Sequence, residues 1–538
     1  MATSADYVFL PEIPPKNNWE TGLKQQLEMG RKIGGKRTGI IIVAEGAIDR
    51  NGKSITPNDI KNLLKPEYDV RTTILGHVQR GGNTSAFDRI LSTRMGHEAA
   101  NVLMTKSDKN EAKVIIIKRN QVRSDSLVDL VRDTKLAGEK LEQLKFDELV
   151  EMRGKSYKRN FDLFKRLNKV LSRKNPSLPK KRIGIMTCGA PCAGMNSALR
   201  TCVLYLLSET NDEFQYEPVI IKDGFEGLLE DRYEVAEAKT VVDINHLGGS
   251  VIGTNRTTPN SGNAHKYYRK LQEAGLDGLM IAGGFEGFQA CHELSKAAQP
   301  GCNFKCIVIP ITISCNVPGT DITIGSDTAL NAIAQACDRI KISASGSRRR
   351  VFIVETMGRR CGYLATMAGL SCGADASYIF EEKITLKNIY ENVERLKQKM
   401  SGPVKSGIVV RANGCNDNYD TDFFKKLYSE EGKGIFDCRS SILGYVQQGD
   451  IPSPFDRKNA VTLPARACDW MLRTDENEDD ENGENEPNFT VIGVQETKIQ
   501  ITDVRELVKI ADFENRIPKN SWWLNSIRPL CKTMAGHK

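Results

Sequence analysis

Residues Thr38 to Arg89 and Ser406 to Arg457 are one passage written twice, aligning without a gap at a constant offset of 368 residues. Within it, RTTILGHVQRGGNTSAFDR (Arg71 to Arg89) faces RSSILGYVQQGDIPSPFDR (Arg439 to Arg457). The two share Arg, Ile-Leu-Gly, Val-Gln, Gly, Ser and Phe-Asp-Arg at identical spacing. A duplication of this kind restricts the chain to an architecture of two related modules. Upstream of the second copy lies a strand-and-glycine-loop region from about Lys181 to Leu370, whose counterpart in the first copy would fall before Met1. The sequence therefore predicts one whole module preceded by a truncated one.

With 538 residues, 40% hydrophobic and 27% charged, the chain can bury large cores, and its length suggests three or four domains. No run approaches eighteen apolar residues, so no membrane is expected as a partner. The start MATSADYVFLPEIPP lacks the basic-then-apolar pattern of a secretory signal, so a cytoplasmic location is the expectation. All fourteen cysteines fall between Cys188 and Cys531 without CxxC spacing, which indicates reduced, buried thiols and neither a disulfide framework nor a metal site. The net charge of +8 is local: Arg153 to Arg182 is crowded with Lys and Arg against Asp162 alone. Only Tyr157, Phe161 and Phe164 interleave with it, too few aromatic platforms for nucleic acid. Phe161, Leu163, Phe164, Leu167 and Val170 recur near helical spacing before Asn175-Pro176 and Pro179, so 155–180 reads as a solvated helical linker between a 1–154 remnant and a 181–538 module. The acidic tract TDENEDDENGENEP, 474–487, reads as a disordered loop.

After the linker, KRIGIMTCGAPCAGMNSALR runs from an apolar strand (Ile183 to Met186) through small residues into a helix opening at Met195, a geometry that lets backbone N–H groups approach an anion. The pattern recurs. Leu279–Ala282 leads into Gly283–Gly287, Ile307–Ile313 into Ser314–Gly319, and Val351–Val354 into Glu355–Gly362. Four strands ending in such loops predict one parallel-sheet edge of an α/β fold, where ligands of open sheets bind. Arg256, Arg350, Arg359, Arg439 and Arg516 follow or lie within these loops or short segments, and guanidinium forks suit phosphate oxygens. A phosphorylated metabolite is the expected guest. Arg71, His77 and Arg80 in copy one stand where copy two has Arg439, Tyr445 and Gln448, so one scaffold carries two differently furnished sites.

The motifs VAEGAID (Val43 to Asp49), LGHVQRGG (Leu75 to Gly82), AGMNSALR (Ala193 to Arg200), ETMGRRCGYLA (Glu355 to Ala365), EEGKGIFD (Glu430 to Asp437) and the Arg516–Leu524 tail with its Trp pair resemble the eukaryotic ATP-dependent 6-phosphofructokinases. In that family a catalytic and a regulatory half descend from a duplicated kinase. The resemblance covers essentially the whole chain. It implies tandem parallel-sheet, Rossmann-like modules, a homotetramer, and transfer of the ATP γ-phosphate to fructose 6-phosphate in glycolysis, with Mg2+ as the metal. It also implies that Glu45, Arg71, His77 and Arg80 bind fructose 6-phosphate. For the allosteric activator fructose 2,6-bisphosphate it implies Arg256, Thr312, Ile313, Ser314, Cys315, Asn316, Arg350, Met357, Gly358, Arg359, Asn413, Arg439, Tyr445, Gln447, Gln448 and Arg516. Asn413 replaces the usual Glu, and Tyr445 the usual His.

Phosphoryl transfer needs an aspartate base and acidic magnesium ligands, which the family draws from T-I-D-N-D and G-G-D-G-S loops. Copy two has Thr312-Ile313-Ser314-Cys315-Asn316 and Gly283-Gly284-Phe285-Glu286-Gly287 instead, with Pro191 where the first glycine loop usually has Asp. Ser314 lacks a partner to make it a base, and a phenyl ring cannot ligate magnesium. Copy two is therefore expected to bind without catalysing, no metal ligands are assigned in this chain, and the chain alone is expected to be inactive. A non-catalytic sugar-phosphate-binding subunit is the alternative reading.

Overall fold

The repeated Ser-x-Phe-Asp-Arg becomes a helix start in both copies. Ser85 accepts the Asp88 N–H at 3.1 Å to cap helix Ala86–Met104, and Ser453 accepts the Asp456 N–H at 3.2 Å to cap helix Pro454–Met471. A serine hydroxyl at this position satisfies a backbone donor that the first helical turn leaves free. The computed structural model describes all residues except 106–111, 119–120, 170–176, 210–212, 300–301, 347–348, 474–487, 497 and 538. The expected acidic loop and the end of the expected linker helix (Val170, Asn175, Pro176) thus lie outside the described residues.

The N-terminal region pairs β1 (Tyr7–Phe9) in parallel with β2 (Ile41–Val43) and closes a small core of Phe9, Leu23, Ile55, Ile60 and Leu64. A hairpin of β3 (Lys113–Lys118) and β4 (Gln121–Ser126) follows. Helix Ala86–Met104 belongs energetically to the second module. Ala86 is in that module's core, its N–H is received by Asn331, and Arg89 makes a two-pronged contact with Asp338 at 2.8 and 2.6 Å. Helix Lys155–Leu167, expected to be solvated, is docked instead: Phe164 is buried, and the Arg166 guanidinium lies 3.6 Å over the Tyr205 ring. The basic run is therefore partly a set of contacts, with Arg153 pairing Glu12 at 2.9 Å.

From Lys180, besides a short antiparallel pair Ala511–Asp512 and Ile517–Pro518, the strands are β5 (Lys180–Cys188), β6 (Gln215–Ile221), β7 (Tyr233–Val235), β8 (Gly278–Gly283), β9 (Lys305–Pro310), β10 (Arg350–Thr356), β11 (Ala376–Tyr378), β12 (Ser406–Ala412), β13 (Asp437–Ile442), β14 (Phe489–Gln495) and β15 (Lys498–Asp503). They form two sheets. The larger runs β15-β14-β9-β8-β5-β6-β7, parallel except at the antiparallel edge strands β15 and β7. The smaller, β11-β12-β10-β13, is wholly parallel. The single edge expected from sequence is corrected here: β5, β8 and β9 lie in the first sheet and β10 in the second. Strands covered on both faces all read as continuous apolar runs, so their sequences carry no mark of which sheet they join. Helices cover the sheets, and thirteen of the fourteen cysteines are buried among them. Among the described residues no helix is long and apolar enough to cross a membrane.

Candidate functional site

The C-terminal ends of strands from both sheets face one another across a cavity of about 440 Å³. Its walls are the loops after β5 (Ala190), β8 (Gly284, Glu286), β9 (Ile311 to Ser314, Asn316), β10 (Met357 to Arg360) and β12 (Asn413, Gly414). Arg256, Gln448 and the C-terminal segment Glu514 to Ile517 complete it. Convergence of loops at strand C-termini is the usual ligand position of α/β sheets.

Each wall is held by specific bonds. The Arg359 N–H donates to the Asn413 side-chain oxygen at 2.8 Å, which fixes Arg359 at a left-handed φ of 52°. Gly414 lets these loops meet, since a Cβ there would lie 2.6 Å from the Arg359 carbonyl carbon. The Asn316 amide donates to the Arg516 carbonyl at 2.9 Å, and Arg516 itself has φ 60°. Cys315, on the same loop as Asn316, has φ 51°. Three non-glycine residues held in this costly region around one cavity point to a constrained site. Behind them Gln447, 1% exposed, accepts the Met357 N–H at 3.1 Å and donates to the Gly444 carbonyl at 2.9 Å.

The charge is cationic but partly committed. Arg516 pairs with Glu286 at 3.1 Å and lies 5.6 Å over the Phe285 ring; Arg360 faces Asp417 and Phe380. The guanidinium groups of Arg256 and Arg359 have no hydrogen-bonding partner among the described residues. Burial pushes the Cys315 thiol up to about 12 and raises that of Cys361, so neither is a nucleophile at neutral pH. Ser314 has no hydrogen-bonded base among the described residues; its N–H donates to the Thr312 hydroxyl at 3.3 Å. Phe285 is buried and packs edge-on against Phe288 and Phe513. No group of three or more His, Cys, Asp or Glu residues among the described ones could hold a metal ion, and Phe285 offers no oxygen ligand.

A profile of the phosphofructokinase family matches residues 1–103 and 182–471. The chain belongs to the phosphofructokinase family. It is 45% identical over 550 aligned residues to the muscle-type ATP-dependent 6-phosphofructokinase of Macaca fascicularis, and 44% identical to that of Homo sapiens, in each case across 100% of this chain and 69% of the relative. The structure of phosphofructokinase from Saccharomyces cerevisiae superposes with a TM-score of 0.92 at 33% identity, covering 99% of this chain and 72% of that one.

Of the effector residues that the phosphofructokinase resemblance implies, Arg256, Thr312, Ile313, Ser314, Asn316, Met357, Gly358, Arg359, Asn413, Gln448 and Arg516 line the one cavity. Cys315 and Gln447 stand directly behind it. Arg350, Arg439 and Tyr445 do not line it. Arg350 opens β10, seven residues before Met357, roughly 20 Å along a strand. Arg439 pairs in register with Phe352 on edge strand β13 and is exposed, and Tyr445 is 80% exposed. In copy one, Arg71 lines a separate cavity of about 240 Å³ at the β2 end, whereas Glu45, His77 and Arg80 are exposed outside it. Glu286, Arg360, Gly414, Glu514 and Asn515 line the main cavity without having been expected. Three lie inside or beside quoted motifs: Glu286 in the Gly283–Gly287 loop, Arg360 in ETMGRRCGYLA, and Asn515 next to Arg516.

Proposed function

We propose that this chain works as an ATP-dependent 6-phosphofructokinase, a glycolytic phosphotransferase that moves the ATP γ-phosphate to fructose 6-phosphate and yields fructose 1,6-bisphosphate. Its second module serves as the sensor of a sugar bisphosphate. Identity of 45% to a muscle-type enzyme along the whole chain carries the family chemistry. The cavity supports the sensor role, since it gathers guanidinium groups on the loops after the strands, while Ser314 and Phe285 stand where the family resemblance implies a base and a metal ligand. Without an aspartate base at Ser314 or a carboxylate at Phe285, the second module's part in the reaction is to bind. Cytoplasmic action follows from the same family reading.

A homotetramer is the assembly that supports this site best. Arg350 and Arg439 lie away from the cavity, and the strand that carries Arg439 leads on to exposed Ile442 (65%) and Val446 (65%). Copy one exposes the equivalent Ile74 (84%) and Val78 (79%). Contiguous apolar exposure at matching positions of both repeats suits burial by further chains. A partner subunit then brings the two arginines to a ligand held by Arg359 and Arg516. The test is calorimetric titration of the purified oligomer with fructose 2,6-bisphosphate. Arg516→Ala and Arg439→Ala are each expected to weaken binding by about 2–5 kcal/mol, the cost of leaving a bound phosphate partly unpaired. Unchanged affinity in both variants would mean that the sugar bisphosphate binds elsewhere.

A further inference from the structure

Glu286 is out of place in a phosphate site. It sits in the first turn of helix Phe285–Ala297, whose N-terminus has no side-chain cap, and its carboxylate pairs with Arg516 at 3.1 Å. Its other oxygen lies 3.2 Å from where a Cβ of Gly189 would stand, so it also closes on the loop after β5. One carboxylate thereby answers a guanidinium, a helix N-terminus and a glycine loop, three features that each attract an anion. Only 16% of its side chain is exposed, against 33% for Arg516, so the pair is shielded from water on the Glu286 side.

We propose that Glu286 is an internal competitor: its carboxylate holds Arg516 as a ligand anion would and must yield it to a ligand phosphate, so it sets the affinity of the site. The inference rests on the sugar-bisphosphate reading above. A phosphate entering the cavity meets a fixed negative charge beside the group that recruits it. Binding therefore exchanges one ion pair for another, and the net gain from Arg516 is the difference between the two. The arrangement favours a doubly charged phosphate at Arg516, because a weaker anion offers that guanidinium little that Glu286 does not already supply.

The experiment is titration of the oligomeric protein with fructose 2,6-bisphosphate, comparing wild type, Glu286→Gln, Arg516→Ala and the double variant. Removing the charge at constant shape is expected to tighten binding roughly three- to tenfold. The gain should vanish in the Arg516→Ala background. Glu286→Ser, with a thermal melt on every protein, repeats the measurement should the glutamine variant fail to fold. Unchanged or weaker binding in a folded charge-removed variant overturns the proposal, the latter by making Glu286 a positioning residue for Arg516. A gain that persists without Arg516 also overturns it. Wild type that binds no sugar bisphosphate, while Glu286 variants also bind none, removes the underlying reading and this inference together.

Discussion

Phe87 stacks on Phe455, ring centroids 5.4 Å apart and planes 27° from parallel, so the two copies of the repeat touch through the same residue of each. Phe87 is 40% exposed, which limits what the contact contributes through burial. A double-mutant cycle with alanine at both positions, read by denaturant unfolding, is expected to give a coupling of about 1 kcal/mol. A value near zero would show that the ring stack adds nothing to what Ala86, Arg89 and Asn331 supply to helix Ala86–Met104.

Asp456 is fully buried; one of its oxygens accepts the Thr328 N–H at 2.8 Å and the other has no hydrogen-bonding partner. Burial, with Asp327 nearby, pushes its carboxyl up to about 7. A carboxyl whose folded value is raised holds its proton in the folded chain after the unfolded chain has lost it. Its contribution is thus greatest below its ordinary value near 4, declines as pH rises toward about 7, and is flat above. Between pH 5 and pH 8 wild type should lose stability relative to Asp456→Asn, on the order of 2 kcal/mol. Parallel pH profiles of the two proteins would rule this out.

The two Asp residues of the repeat show how far a sequence can be read. Asp88 and Asp456 share a motif and each follows a capping serine; only packing tells that Asp88 is at the surface and Asp456 is sealed beneath Thr328. The glycine loops announced the cavity for the same reason, since turn chemistry is local. Membership of two sheets was not legible, because β8, β9 and β10 are equally apolar. Arg350 and Arg439 looked like neighbours of Arg359 because motif lists record residue type and not distance along a strand. Glu286 carries no such signal, because a carboxylate has the wrong sign for a phosphate pocket.

Arg411 is 1% exposed and bonds Glu355 at 2.7 Å, Thr421 at 2.7 Å and the Tyr419 carbonyl at 3.0 Å. It ties β12 to β10 just before the Met357–Arg360 loop. Arg411→Ala strands the Glu355 carboxylate, and about 3–5 kcal/mol of stability should be lost in denaturant unfolding. Arg411→Met with Glu355→Leu should recover most of it, because an apolar pair of similar volume leaves no unpaired charge.

If Arg439 serves a neighbouring chain's cavity and Arg516 its own, each variant alone spoils every site, yet a mixture need not. Co-refolding Arg439→Ala with Arg516→Ala protein should create some sites that carry neither substitution. Calorimetry on the mixture is expected to recover a tight-binding fraction that both parents lack. No recovery at any ratio would place both arginines on one chain's ligand.

Gln447 joins the segment behind Tyr445 to the Met357 amide, so the outward face and the cavity floor are fastened to one side chain. Association at that face and occupancy of that cavity then share a single mass-action balance. Diluting the protein should loosen its hold on the sugar bisphosphate, and adding the sugar bisphosphate should draw dilute chains together.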